Sequence, residues 1–258
     1  MGQPRHPWRN TELKSYTTDI VNVSLLNHDV YRVRLRVADA QHRLEFIAGQ
    51  YLDLELPDGR KASFSIASAP DQSSDLELHI RAMPESLLNT AILTHLQTQP
   101  QVSVTLGMGS CCLDVQTLNP EQHLVFVAAS TGFAQIKSMV EHLLANQVMN
   151  PIDIYWGARQ REDMYLVDLP DQWSKEHKNV RFVPVLSDDD AEWMGRKGML
   201  PTAIQEDLPS DLSQMRVYIS GSPAMVYALV DVLEDRGVLD DQIFADAFAY
   251  APRPVRHT

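Results

Sequence analysis

The sequence predicts two domains: an N-terminal six-stranded antiparallel β-barrel, followed by a C-terminal α/β domain with a parallel sheet. The chain has 258 residues, which is enough for two domains that each bury a core. Residues 14–115 contain short alternating strands separated by turn residues. From about residue 120, strands that are apolar throughout alternate with amphipathic helices. We therefore expect a flexible tail over 1–13, a barrel domain over 14–118 and an α/β domain over 119–258.

The strands of the barrel are predicted from alternation between polar and apolar residues. In the second strand Arg32, Arg34 and Arg36 alternate with apolar residues, which predicts one core face and one basic face in solvent. Apolar residues at helical spacing predict a helix over residues 86–97. The six predicted strands are YTTDIVNVSLL (16–26), VYRVRLRVA (30–38), YLDLEL (51–56), SFSIASA (63–69), LELHIRA (76–82) and VSVTLG (102–107).

The strands of the α/β domain are predicted from continuous apolarity, which is typical of a parallel sheet covered on both faces. They are HLVFVAA (123–129), IDIYWG (152–157), VRFVPVL (180–186) and RVYISG (216–221). Apolar residues at helical spacing over residues 136–144 predict the first crossover helix. Another helix is predicted to begin with Ser222 as N-cap and Pro223 as its first residue, and to end at Gly237.

Composition and charge exclude several classes of function. A net charge of -12 argues against nucleic acids and anionic membranes as partners. The N-terminal residues have no apolar core of the kind a signal peptide needs, so we expect a cytoplasmic protein. The two cysteines, Cys111 and Cys112, are adjacent and cannot supply the four ligands of a zinc or iron–sulfur site. No metal site is predicted.

Three predicted strand ends in the α/β domain carry residues suited to a dinucleotide, because ligands of open parallel sheets bind beyond the carboxyl ends of the strands. After the first strand, Ser130, Thr131 and Gly132 open a helix whose free amides suit a pyrophosphate; the alternative is an ordinary helix start. The second strand ends at Gly157 and is followed by Arg159, which is either a ribose or phosphate contact or a solvated surface residue. The residues of the fourth strand end are Ser220, Gly221 and Met225.

The chain resembles the ferredoxin-NADP reductase superfamily, and within it the bacterial NAD(P)H-flavin reductases, including those that supply reduced flavin to luciferase. The resemblance rests on VYRVRL, AGQYLDLEL, FSIASAP, LELHIRA, TGFAQIKSM, IYWGARQREDMYLVD, GRKGML, YISGSPAMV and FADAFAY. It implies that the barrel binds flavin, that the α/β domain binds NAD(P), and that the reaction takes place in the cleft between them.

The resemblance also implies roles for individual residues. The Ser65 hydroxyl, or backbone amides beside it, is expected to hydrogen-bond the flavin N5 region, with Ser65 as the catalytic residue. Arg81 is the best candidate for a phosphate contact. His79 is read either as part of the flavin border or as a strand residue facing solvent, and Phe248 or Tyr250 as covering a cofactor or as core packing. The implied cofactor-binding set in the barrel is Phe64, Ser65, Ile66, Ala67, Ser68, His79, Ile80, Arg81 and Ala82.

The chain departs from the pattern of this family at positions that bear on ligand phosphates. Ala62 stands where the family has an arginine, and Lys61, on the opposite face of a strand, substitutes only if a bulge reorients it. Ala129 and Ser130 stand where the family usually has glycines, which tolerate positive φ better. Ser220 stands where the larger members of the family have a cysteine.

We therefore expect an NAD(P)H-dependent flavin oxidoreductase that transfers hydride from nicotinamide to flavin N5. The flavin is FAD or FMN, and the loss of the arginine favours a flavin that is a diffusing substrate over a resident one. One alternative is an FAD-bound reductase component that passes electrons to an oxygenase or another protein partner. A second alternative is a degenerate paralogue that binds or regulates without turnover.

Overall fold

The computed structural model describes residues 13–37, 45–70 and 75–254, and the tail expected over 1–13 lies almost entirely outside the described residues. The chain divides into two compact units. The first comprises Met1–Val115 and Ala134–Val148, and the second comprises Gln116–Phe133 and Met149–Thr258. The division differs from the expected boundary near residue 118 because the segment 134–148 groups with the barrel, to which its side chains are hydrogen-bonded.

The first unit contains the predicted six-stranded antiparallel sheet, with strand order β4-β3-β6-β1-β2-β5. A further bridge pairs Ile66, just beyond β4, with Leu78 of β5, so the two edges of the sheet approach each other. The strands are β1 (Lys14–Leu25), β2 (Val30–Val37), β3 (Tyr51–Glu55), β4 (Lys61–Ser65), β5 (Asp75–Arg81) and β6 (Gln101–Met108), and the helix between β5 and β6 is α1 (Leu87–Thr98).

Strand β4 ends earlier than the sequence pattern predicts. The alternation continues to residue 69, but the strand ends at Ser65. After Ile66 the chain changes its partner, and the Ala67 amide donates to the Glu77 carbonyl of β5 at 2.7 Å. The segment therefore leaves the β3 ladder to bond with the opposite edge strand.

The basic face of β2 is confirmed, but its arginines are paired with carboxylates. Val33 and Leu35 are buried in the barrel core, whereas Arg34 and Arg36 are exposed. Both arginines bind the buried carboxylate of Asp75 on β5, at 2.8 Å and 2.6 Å. Their charge is therefore partly neutralised within the barrel.

The second unit contains a parallel sheet with strand order β10-β9-β8-β7-β11-β12. Its strands are β7 (His123–Ala129), β8 (Ile152–Ala158), β9 (Val180–Leu186), β10 (Arg196–Lys197), β11 (Met215–Ser220) and β12 (Ile243–Phe244). The other helices of the chain are α2 (Phe133–Ala145), α3 (Asp168–Glu176), α4 (Leu200–Asp207), α5 (Pro223–Asp235) and α6 (Ala247–Tyr250). The chain builds outward from β7 to β10 and then returns to place β11 on the other side of β7. The strand order therefore reverses between β7 and β11, where open α/β sheets bind their ligands.

The predicted caps of α5 are confirmed. The Ser222 hydroxyl accepts from the Met225 amide, and Pro223 is the first helical residue. Gly237 follows the helix with φ of +91°, a left-handed conformation that favours glycine. In the part of the chain that the structure describes, no helix has the length and apolarity needed to span a bilayer.

Candidate functional site

The end of β4 presents one hydroxyl that is available to a ligand. Phe64 and Ser65 are half-buried, whereas Ile66, Ala67 and Ser68 are buried. None of the described residues forms a hydrogen bond with the Ser65 hydroxyl. Of the predicted flavin-facing residues, Phe64 and Ser65 therefore retain exposed surface.

Ala67 and Ser68 are held in place on two sides. Towards β5, the Ser68 hydroxyl accepts from the Glu77 amide at 3.1 Å, in addition to the bond from the Ala67 amide. Towards α2, the Ala67 carbonyl accepts from Lys137 Nζ at 3.2 Å, and the Ser68 carbonyl accepts from the Ser138 hydroxyl at 2.8 Å. The Ser68 hydroxyl is thus engaged within the protein, so its predicted role as a cofactor contact has no support from this geometry.

His79 is buried, so the interpretation of a strand residue facing solvent is wrong. It is 5% exposed, and its Nε2 lies 2.8 Å from Glu77 Oε1. Burial lowers the pKa of His79, and the hydrogen bond to Glu77 offsets this only in part. The imidazole is therefore neutral at pH 7 and donates its Nε2 proton to the carboxylate.

The other predicted residues of β5 are occupied by contacts within the barrel. Ile80 is buried opposite Tyr31 of β2, and the amide of Ala82 donates to the Asp29 carbonyl at 2.7 Å. Arg81 Nε donates to Asp29 Oδ2 at 2.6 Å. A phosphate on Arg81 would therefore compete with the Asp29 carboxylate.

The cations near Ala62 are also paired. Lys61 Nζ lies 2.9 Å from Glu55 Oε2, and Arg60 Nη2 lies 2.7 Å from Asp58 Oδ2. The β3–β4 register runs without a shift from Glu55 opposite Lys61 to the end of the strand. No bulge therefore reorients Lys61, and the condition under which it would replace the missing arginine is not met.

In the second unit, the loops after β7 and β11 are in close contact. A Cβ atom on Gly132 would lie 2.3 Å from the carbonyl oxygen of Ser220, closer than any side chain can approach. A Cβ on Gly221 would lie 2.4 Å from Met225 Cε and 3.1 Å from Ala129 Cβ. The two predicted glycine turns therefore lie side by side where the strand order reverses.

Ser130 takes a backbone conformation that usually belongs to glycine. Its φ is +53°, in the left-handed region, and its carbonyl accepts from Trp156 Nε1 at 3.0 Å. Thr131 and Gly132 complete a short 3-10 turn that leads directly into α2. The loop thus adopts a positive φ without the glycine that the pattern of the family contains.

The end of β8 is less suited to a ligand than its sequence indicates. A Cβ on Gly157 would lie 2.5 Å from Leu200 Cδ1, so this glycine makes room for a packed leucine. The side chain of Arg159 is 79% exposed, and its Nη2 lies 3.6 Å from Asp188 Oδ2. These observations favour packing for Gly157 and a solvated surface position for Arg159.

The C-terminal aromatic residues separate into a packed one and an exposed one. Phe248 packs against Tyr227 of α5, with ring centroids 5.8 Å apart, and joins the core of the second unit. Tyr250 is 65% exposed. The geometry favours core packing for Phe248 over covering a cofactor.

The chain matches two families of oxidoreductase domains. It matches the family described as "Oxidoreductase FAD-binding domain" over residues 17–111 and the one described as "Oxidoreductase NAD-binding domain" over residues 126–231. It is 33% identical over 235 residues to the CDP-6-deoxy-L-threo-D-glycero-4-hexulose-3-dehydrase reductase of Yersinia pestis, covering 91% of this chain and 69% of that protein. The chain belongs to the ferredoxin-NADP reductase superfamily.

Two further relatives have different descriptions, one as a flavin reductase and the other as a cytochrome P450 reductase. The NAD(P)H-flavin reductase of Vibrio harveyi is 32% identical over 215 residues, covering 80% of this chain and 87% of that protein. Among solved structures, the Amycolatopsis cytochrome P450 reductase GcoB is 29% identical with a TM-score of 0.81, covering 91% of this chain and 69% of that one. Similarity alone therefore does not separate a flavin reductase from a reductase component.

As a member of the ferredoxin-NADP reductase superfamily, the protein is an oxidoreductase that binds FAD and NAD(P)H. The described residues fit both groups. In the FAD-binding domain, the Ser65 hydroxyl is available at the end of β4. In the NAD-binding domain, Gly132 and Gly221 allow the loops after β7 and β11 to approach each other where the strand order reverses, which is the place where open α/β sheets bind their ligands.

Three buried polar residues of α2 belong to the barrel unit of the protein. The sequence analysis assigns none of them a role. Gln135, Lys137 and Ser138 are 2%, 7% and 0% exposed. Gln135 Nε2 donates to the Gly49 carbonyl at 2.7 Å, and the other two donate to the Ala67 and Ser68 carbonyls. The signal was present in the motif TGFAQIKSM, where three polar residues interrupt the apolar positions of a buried helix.

Proposed function

We propose that the protein is an NAD(P)H:flavin oxidoreductase in which Ser65 is the residue that contacts the reacting edge of the flavin. The observation that carries this proposal is the Ser65 hydroxyl, which has exposed surface and no hydrogen-bond partner among the described residues. It belongs to the last residue of β4.

The flavin, when bound, supplies the chemistry, because its N5 accepts the hydride that the nicotinamide donates. NAD(P)H, flavin and one proton are consumed, and NAD(P)⁺ and reduced flavin are formed. Ser65 supports this reaction by placing a hydroxyl dipole against the reacting edge. The hydrogen-bonded backbone of Ala67 and Ser68 fixes the segment that follows Ser65.

Weak retention of flavin follows from the charges of the barrel, so we propose that flavin is a diffusing substrate. Arg60, Lys61 and Arg81 each pair with a carboxylate, and Ala62 has no charge. A flavin phosphate that bound one of these cations would have to displace its carboxylate partner. We expect FMN, FAD and riboflavin to be used with Michaelis constants within about tenfold of one another. A tenfold difference corresponds to about 1.4 kcal/mol of binding free energy.

The test is the oxidation of NADH and NADPH with each of the three flavins, in wild type and two serine variants. Ser65→Ala should lower the hydride-transfer rate by about tenfold or more, with the nicotinamide KM changed less than twofold. The matched control is Ser63→Ala, on the same face of β4, whose hydroxyl donates to Asp53 Oδ1 at 2.6 Å. Equal rates in Ser65→Ala and wild type would remove Ser65 from the proposal, and no oxidation above the protein-free rate by wild type would overturn the proposed activity.

A second candidate is an FAD-bound reductase component that passes electrons to a protein partner. It is supported by the similarity to GcoB and to the Yersinia dehydrase reductase, each of which is longer than this chain, so that the chain covers 69% of both. A purified protein that kept its flavin absorbance after desalting would favour this candidate over the diffusing flavin. Oxidation of NAD(P)H in either case would exclude the non-catalytic paralogue.

A further inference from the structure

We propose that Lys137 and Ser138 of α2 are positioning residues of the flavin site, which fix the chain immediately after Ser65. The proposal rests on the function proposed above. The two residues are consecutive on α2 and bond to two consecutive carbonyl groups, those of Ala67 and Ser68. They lie far from the barrel strands in sequence, since each donor follows its acceptor by 70 positions.

The two peptide groups after Ile66 are held from opposite directions. The amide of Ala67 and the hydroxyl of Ser68 bond to the Glu77 backbone of β5, while the two carbonyl groups bond to α2. Each of these bonds restricts the backbone of two residues with short side chains. Lys137 and Ser138 therefore fix, together with the Glu77 backbone, the chain that follows Ser65.

A cluster of charged and titratable side chains keeps Lys137 in this position. The cluster consists of Arg32, Glu77, His79, Lys137 and Glu141. Lys137 Nζ lies 2.9 Å from Glu141 Oε2 and 3.5 Å from Glu77 Oε1. Glu77 Oε1 also accepts from His79 and lies 3.7 Å from Arg32 Nε. Two cations thus balance two carboxylates around a neutral imidazole, so the ammonium group is buried without an excess charge.

The burial of an ammonium group argues for a role beyond filling space. A buried ion pair is often no more stabilising than apolar residues of the same volume, so packing alone does not require a lysine at this position. What an apolar side chain does not supply is a donor for the Ala67 carbonyl. The same reasoning applies to Ser138, which is fully buried and whose hydroxyl bonds to the Ser68 carbonyl.

The experiment measures flavin binding by quenching of flavin fluorescence, together with kcat and both Michaelis constants. We expect Ser138→Ala to raise the flavin Kd by about fivefold to tenfold, because the Ser68 carbonyl loses its donor. Lys137→Met should lower kcat at saturating flavin by about tenfold or more, with the nicotinamide KM changed less than twofold. Ser138→Thr and Lys137→Arg keep a hydrogen-bond donor. Ser138→Thr should recover at least half of the loss in flavin affinity, and Lys137→Arg at least half of the loss in kcat.

The matched controls remove the same groups from the second unit. The hydroxyl of Ser174 donates to the Asp171 carbonyl at 2.8 Å, and Lys175 forms an i,i+4 ion pair with Asp171, as Lys137 does with Glu141. Ser174→Ala and Lys175→Met should leave flavin Kd and kcat unchanged.

A merely structural role has a different signature. If Ser138→Ala and Lys137→Met lower the unfolding temperature but keep the flavin Kd and kcat of the controls, the positioning role is overturned. Should Lys137→Met fail to fold, Ser138→Ala and its threonine counterpart decide the question alone. Absence of NAD(P)H oxidation by wild type would overturn the proposed function, and flavin binding would still decide the positioning role. Absence of flavin binding by wild type would overturn both.

Discussion

The two units hold the backbone near their proposed ligands by different physical means. In the barrel, Ala67 and Ser68 are held by hydrogen bonds from the side chains of α2 and from β5. In the α/β unit, the loops after β7 and β11 are held by close packing at Gly132 and Gly221. The first arrangement is broken by removing a single polar atom, whereas the second is broken by adding a single carbon.

The largest effect is expected from breaking the charged cluster that supports the barrel segment. Burial alone would raise the pKa of Glu77, but the hydrogen bond from His79 and the charges of Lys137 and Arg32 lower it to about 2, from 4.5. Glu77→Gln should therefore lower the free energy of unfolding at pH 7 by about 3 kcal/mol. Chemical denaturation of the variant and of the exposed control Glu121→Gln measures the difference.

The same variant has a defined pH dependence. Because the folded pKa of Glu77 is lower than the unfolded value, its contribution is complete above pH 4.5 and is lost as pH falls through about 2. The gap in unfolding free energy between wild type and Glu77→Gln should therefore narrow below pH 4.5. A gap of constant size from pH 7 to pH 3 would contradict the ionised state of Glu77.

The second effect concerns the close packing of the α/β unit. Gly132→Ala places a Cβ 2.3 Å from a backbone carbonyl, so one of the two loops must shift. We expect the free energy of unfolding to fall by about 2 kcal/mol and the nicotinamide KM to rise, with the flavin Kd unchanged. The control is Gly59→Ala, which has φ of +84° but meets no atom within 4 Å and should cost about 1 kcal/mol. Equal losses in the two variants would show that the loop contact has no effect of its own.

The smallest effect is expected at Ser130, whose left-handed backbone is strained in a residue other than glycine. Ser130→Gly should raise the free energy of unfolding by up to about 1 kcal/mol and leave the nicotinamide KM within twofold, because the course of the loop is kept. Gln147, also at φ of +53°, provides the comparison through Gln147→Gly. A loss of stability in Ser130→Gly alone would show that the serine side chain supports the loop.

The fold was predictable wherever a long segment followed one pattern. The strands from His123 to Ala129 and from Val180 to Leu186 begin and end where continuous apolarity predicts. The strands β10 and β12 were missed, because two residues are too few to show a period. The predicted strand over residues 63–69 was too long. The polar–apolar alternation continues past Ser65, but the amide of Ala67 bonds to a different strand, β5.

The site was predictable only in part, because contacts between distant segments leave no local pattern. Gly132 and Gly221 were identified from their turns, and both make the close approach that glycine permits. His79 was misplaced, since period-two alternation assigns Glu77 and His79 to one solvent face and does not show that Lys137 lies against them. Lys137 and Ser138 lie in the motif TGFAQIKSM, but no local pattern assigns a role to either residue.

The grouping of α2 with the barrel determines how the two units can be separated. A recombinant barrel that stopped at residue 118 would lack the donors that Gln135, Lys137 and Ser138 provide. It would also leave Glu77 without the lysine that faces it. Such an excised barrel should be aggregation-prone and poor at capturing flavin. Grafting residues 134–148 onto its C-terminus through a flexible linker should restore both solubility and capture.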